Sequence, residues 1–304
     1  MKILPHLAIT LAMFLWSINF ILSKDVFVAY SPMTAILARL LIASLFIFIL
    51  KKIFRINEKI RREHFPTFAL LSFFSPFLYF IGEGYGIFLT PSTLSALIVA
   101  TVPVVFPAIT FIFLGERIGP TGIIGLMIAF IGISITIIDP TNLSLAYSVE
   151  GLLFLLLSVG SAIVYIILAK HLLGEYKSIT VVGTQNLFGS LYFIPVVAIF
   201  DSRHILNQNI DYVIVLKIAF LGIFCSAIAY ILYSYAIARL ALWQANAFEN
   251  LIPIFSAILS FLWLSEVLST KSIVGFCVVI AGIVVSQLAS FRNRRGDEEV
   301  VASS

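Results

Sequence analysis

The sequence predicts an all-α integral membrane protein of about ten transmembrane helices, arranged as two inverted five-helix repeats. Three observations carry that prediction. The 304 residues are 61% hydrophobic and only 11% charged, with a mean hydropathy of +1.10, far beyond the apolar share of an ordinary soluble domain. Apolar stretches close to the roughly 20 residues needed to cross a bilayer follow one another with little between them. The two halves of the chain also align on each other, which is the signature of an internal repeat.

The spans read from the amino end are 3–22, 33–50, 66–89, 93–114, 121–139, 149–170, 178–200, 212–238, 243–264 and 271–290. The first follows a single Lys2, is about as long as a full crossing and lacks a small-residue cleavage pattern, so it reads as a retained helix. The longest segment between spans, Lys51 to His64, leaves no room for a soluble domain. This divides the chain into a first repeat over 1–143, a second over 144–291 and a cytoplasmic tail over 292–304.

With the N-terminus inside, Lys51, Lys52, Arg55, Lys59, Arg61 and Arg62 fall on the cytoplasmic face. Arg117, Lys170, Lys177, Arg239, Arg292, Arg294 and Arg295 join them there. Lys24, Arg203 and Lys271 fall on the other face, and this asymmetry places both termini in the cytoplasm of a cell whose inner or plasma membrane holds the protein. The net charge of +4 is therefore a matter of topology and argues against a nucleic-acid partner. Cys225 and Cys277 both lie in apolar runs, where cysteine is a small packing residue.

A shift of 150 positions lays Ser95 to Glu116 on Ala245 to Glu266. It matches Pro103 with Pro253, Phe111 with Phe261, Leu114 with Leu264 and Glu116 with Glu266. The register continues through Gly125 with Gly275 and Gly132 with Gly282, and upstream through Tyr85 with Tyr235. Earlier in each half the shift is 146, pairing Lys24 with Lys170 and Arg39 with Gln185. Because each repeat holds an odd number of spans, the second enters the membrane from the opposite face. Such inverted repeats are characteristic of carriers whose central site opens to each side in turn.

The stretch LAMFLWSINFILSK in the first span, ARLLIAS in the second, and the proline-to-glutamate ends of the fourth and ninth resemble the EamA group of the drug/metabolite transporter superfamily. The resemblance covers about residues 5–290, with Ser17 standing where the group usually has glycine. It implies movement, mainly export, of amino acids or other small metabolites across a bacterial inner membrane without ATP hydrolysis. The partners expected are a small-molecule substrate and the lipid bilayer, with protons an open alternative at the intramembrane carboxylates; no cofactor is called for.

Ionisable groups inside spans are costly and so face a cavity or a partner. Arg39 in the second span and Glu83 in the third lie at compatible depths, which admits either a structural ion pair or a pair sensitive to substrate or protons. Glu249 shares a helix face with Asn246 and Pro253 and neighbours Asn250, so it reads as a substrate or proton site or as a hydrogen-bonded packing cluster. Trp16 and Asn19 share a face of the first span, and Tyr79 is the i, i+4 partner of Glu83. Tyr230 and Tyr233 lie near one another on a helical period and Tyr235 does not. The repeat assigns counterparts to the first half's polar groups: Tyr165 to Asn19, Gln185 to Arg39 and Tyr233 to Glu83. Gly82 and Gly86 form a small-xxx-small packing face, and Glu116 and Glu266 read as span-end groups that satisfy the backbone of the next helix.

Enzyme readings fail on the same residues. His6, His64, His171 and His204 fall near span ends, and Asp25, Asp139, Asp201, Asp211 and Asp297 all flank spans, which removes intramembrane serine or aspartyl catalysis. Neither an H-E-x-x-H nor a P-loop pattern is present. The reading is a secondary transporter of small organic metabolites or amino acids. The alternatives are a passive facilitator on the same fold and a lipid-flipping or scaffolding subunit.

Overall fold

Six helices among the described residues are long and apolar enough to cross a membrane: α1 (Ile3–Ala29), α2 (Pro32–Ile53), α3 (Arg62–Leu89), α5 (Val149–Leu172), α6 (Ser178–Phe200) and α7 (Tyr212–Arg239). Shorter helices are α4 (Ser92–Val99), α8 (Leu251–Trp263) and α9 (Ile273–Gly282). The computed structural model describes residues 3–99, 148–201, 211–240, 251–263 and 273–282. Between these it describes 101, 102, 105, 106, 121, 124, 125, 127, 128, 131, 132, 135, 138, 139, 144, 145, 245, 248, 249, 270, 271, 284 and 285. About half of the fourth and fifth expected spans, parts of the ninth and tenth, and both Glu116 and Glu266 lie outside the described residues. The protein is an all-helical membrane protein, with one addition: Ile138–Asp139 pairs antiparallel with Ser144–Leu145 between the halves.

Local chemistry sets the helix ends. Ser31 caps α2 by accepting from Thr34 N at 3.3 Å, with Pro32 opening the helix, while Lys51 and Lys52 stand in its last turn, where cations suit the helix dipole. Ser148 caps α5 through Gly151 N and Asp211 caps α7 through Val213 N. Both α3 and α7 are interrupted by a π-helical stretch, Phe73–Leu78 in one and Leu221–Ile228 in the other. The 150-residue shift carries 73–78 onto 223–228, so the two interruptions are repeat counterparts.

The contacts fix how the spans run. A Cβ on Gly82 would meet Ser158 N at 2.7 Å, one on Gly86 would meet Leu155, and one on Gly151 would meet Thr90. Thus α5 runs antiparallel to α3 with its start beside the end of α3, at the opposite end from the start of α1. Small residues permit this approach, as the small-xxx-small face implies. Beyond this pair, α2 packs on α6, α1 packs on α7 and α8, and α2 packs on the π-helical stretch of α7, where Gly222 sits against the Arg39 carbonyl. The largest helix contacts therefore cross between the halves.

Two lysines close the ends of this arrangement. Lys24 Nζ donates to the carbonyls of Ile87, at 2.8 Å, and Thr90, at 2.6 Å, at the end of α3. Lys170 Nζ donates to the carbonyls of Ile237 and Leu240 at the end of α7. The donors differ by 146 positions and the acceptors by 150, so the contact is made twice, at opposite ends of the molecule. The ends of helices leave carbonyls without intrahelical partners, and an ammonium is a strong donor to them.

Candidate functional site

The cavity at the centre of the bundle is built by residues from both halves. Trp16, Asn19 and Phe20 lie on one face of α1, and Ser75, Tyr79, Phe80 and Glu83 lie on α3. Arg39 reaches in from α2, Val99 and Val102 from α4 and just beyond it, and Ala162, Tyr165 and Ile166 from α5. Tyr230 and Tyr233 on α7, with Glu249 and Ile252, complete the lining.

Most of this lining obeys the repeat. Trp16, Asn19 and Phe20 map by the 146 shift onto Ala162, Tyr165 and Ile166. Phe80, Glu83, Val99 and Val102 map by the 150 shift onto Tyr230, Tyr233, Glu249 and Ile252. The cavity is therefore lined largely by residues that the repeat pairs across the two halves.

Its polar groups are held by specific partners. Trp16 Nε1 donates to the Cys225 carbonyl at 3.2 Å, and its ring lies 5.0 Å from both the Tyr230 and Tyr233 rings. The π-helical stretch of α7 supplies that carbonyl and also the Ser226 carbonyl, which accepts from Asn186 Nδ2 at 3.0 Å; such stretches release backbone acceptors and are frequent at functional sites. Arg39 is 3% exposed; its Nε donates to Ser226 Oγ at 2.8 Å and its guanidinium lies 4.5 Å from the Phe80 ring centre. Tyr79 Oη donates to Glu83 Oε1 at 3.0 Å, and Tyr233 Oη donates to Glu249 Oε1 at 2.8 Å.

Nine of the residues singled out from the sequence meet at this cavity: Trp16, Asn19, Arg39, Tyr79, Glu83, Tyr165, Tyr230, Tyr233 and Glu249. Gln185 does not line it. It is buried beside Tyr165, as is Ser234. Asn246 and Asn250 lie outside the described residues. Arg39 and Glu83 face one another but form no ion pair within 4.0 Å, since Ser226 and the Phe80 ring take up the guanidinium instead. Tyr235 lies apart from the cavity, its ring 3.8 Å beneath the Arg239 guanidinium. Sequence reasoning missed Ser75, Phe20, Phe80, Val99, Val102, Ala162, Ile166 and Ile252. Applying the repeat shift to Trp16, Tyr230 and Glu249 would have found Ala162, Phe80 and Val99.

The sequence matches the pattern of the EamA-like transporter family twice, over residues 3–138 and 149–288. The chain belongs to that family. It is a membrane transporter and not an enzyme. It is 25% identical over 230 residues to an uncharacterized transporter of Archaeoglobus fulgidus, covering 76% of this chain and 80% of that one. It is 24% identical over 235 residues to a "probable terminal-alkyne amino-acid exporter" of Streptantibioticus cattleyicolor, covering 77% of each chain. A solved crystal structure superposes with a TM-score of 0.69 at 15% identity, covering 93% of this chain and 98% of the other, which speaks to the fold alone.

In the transporter, this arrangement brings a basic and two acidic side chains to one small space. The terminal nitrogens of Arg39 make no hydrogen bond among the described residues, and Glu249 has Tyr233 as its one hydrogen-bond partner among them. Aromatic rings fill the wall between, so ligand polar groups entering here would be shielded from water and bound more strongly for it.

Proposed function

We propose that this chain is a secondary transporter that exports a small zwitterionic metabolite, an amino acid or a molecule built like one, by alternating access. The proposal includes ten spans as two inverted repeats and both termini in the cytoplasm of the cell that carries it in its inner or plasma membrane. The observation that carries it is the central cavity, where the Arg39 guanidinium and the Glu249 carboxylate both face inward with bonding capacity to spare. A buried charge without an opposite charge in ion-pair range is costly, so a ligand with a carboxylate for Arg39 and an ammonium for Glu249 relieves both at once. The antiparallel course of α5 relative to α3, and the twofold occurrence of the lysine caps and of the π-helical stretches, support an inverted repeat. The Streptantibioticus relative, named for amino-acid export, supports the substrate class.

With Glu83 and Glu249 the cavity holds two carboxylates for one guanidinium, which gives a proton a place to ride when no ammonium is bound. Purified protein in liposomes should take up labelled amino acid by counterflow, and an imposed proton gradient should drive net accumulation. Uptake indifferent to the gradient would make the protein a passive facilitator. No uptake, together with a stoichiometric partner that co-purifies, would make it a subunit of something else.

A further inference from the structure

Of the repeat-related pairs that line the cavity, Trp16 and Ala162 differ most in bulk. The indole cannot swing across to fill the second position, because its N–H is tied to the Cys225 carbonyl at 3.2 Å and its ring is held between Tyr230 and Tyr233. Nor can α5 move in to close the gap. It is seated on α3 through Gly82 against Ser158 and Gly86 against Leu155, contacts already too close to admit a Cβ. The counterparts of Tyr230 and Tyr233 on α3 are Phe80 and Glu83, so the missing indole leaves room beside the Phe80 ring. The α4 side of that room is apolar, from Val99 and Val102.

We propose that Ala162 sets the size limit of the substrate: the compartment left by its missing side chain receives the apolar part of the transported molecule. This rests on the zwitterionic reading above, in which Arg39 and Glu249 hold the polar ends. The two halves thus divide the work, one filling its share of the cavity with its own tryptophan and the other leaving its share to the cargo.

The test is a ladder of zwitterionic probes, alanine, leucine and phenylalanine, measured by equilibrium binding to purified wild type, Ala162→Val, Ala162→Phe and Ala162→Trp. Added methylenes in a fitted apolar pocket change affinity by roughly tenfold or more. Binding to wild type should tighten up the ladder. The enlarging substitutions should cost phenylalanine and then leucine at least tenfold while sparing alanine, with Ala162→Val carrying the test should the larger variants not fold. A folded variant that binds the whole ladder like wild type overturns the proposal. A second measurement does not depend on the substrate class: Ala162→Cys in a Cys277→Ser background, treated with methyl, propyl and benzyl methanethiosulfonates. Reaction at this position with the benzyl reagent supports the compartment even if no amino acid binds, in which case only the zwitterionic reading falls. Reaction limited to the methyl reagent overturns it.

Discussion

Replacing Glu249 by glutamine removes one charge from the cavity and little else. Glutamine keeps an oxygen able to accept from Tyr233 Oη, which now donates to Glu249 Oε1 at 2.8 Å, and the change in volume is negligible. What it loses is a charged partner for a substrate ammonium. A hydrogen bond to a charged group contributes about 1.5–3 kcal/mol, which corresponds to roughly a 10- to 150-fold rise in Kd. Stability should stay near wild type. Glu249→Leu is the contrast, since it leaves the buried Tyr233 hydroxyl without an acceptor, at a cost of about 1–3 kcal/mol in folding. Radioligand binding with a labelled amino acid, paired with thermal midpoints of the same preparations, reads both quantities. A Kd for Glu249→Gln within twofold of wild type would refute the idea that this carboxylate meets a cationic group. Equal loss of midpoint in both variants would assign it to packing instead.

Arg39→Gln should weaken binding of an amino acid far more than of the matching amine that lacks the carboxylate; equal weakening would remove the guanidinium from carboxylate recognition. In a double-mutant cycle, Arg39→Gln and Glu83→Gln should couple only weakly in stability, because the two groups make no ion pair within 4.0 Å, and a coupling near 3 kcal/mol would show a direct pair. Gly82→Ala should destabilise by about 1–3 kcal/mol, since its Cβ meets the Ser158 backbone nitrogen at 2.7 Å, whereas Gly160→Ala, with nothing within 4 Å, should be neutral or slightly stabilising. Indistinguishable midpoints would mean that α3 and α5 separate freely. Lys24→Met and Lys170→Met should each lower the midpoint, with nearly additive effects at their distant sites; a double variant no worse than either single one would contradict independent caps.

The six long crossings were legible because nothing but lipid explains uninterrupted apolar segments of such length. The polar part of the site was legible for the same reason: Arg39, Glu83 and Glu249 are conspicuous where charge is expensive. The apolar wall was not. In water, an apolar stripe marks the buried face of a helix, but in lipid both faces are apolar, so Val99, Val102 and Ala162 carry no pattern that separates a cavity from a membrane contact. Depth along a helix was also easier to read than direction around it. Arg39 and Glu83 line the same cavity, yet the guanidinium turns to Ser226 and Phe80. The π-helical stretch of α7 has no proline to announce it, and among its signals only the repeat register, which lays it on the proline-bearing stretch of α3, could have found it.

The lysine caps take on a different meaning once the packing between halves is considered. α1 leans on α7 and α8 from the other half, and α5 leans on α3 in the same crossed fashion, while α1 meets α3, and α5 meets α7, far more sparingly. The molecule is a weave whose natural blocks each borrow helices from both repeats, and the seams between blocks run between α1 and α3 and between α5 and α7. Each seam is bolted at one end by an ammonium, Lys24 at one end of the bundle and Lys170 at the other. The internal repeat has thus supplied the fold with a matched pair of bolts, one at each end of the bundle.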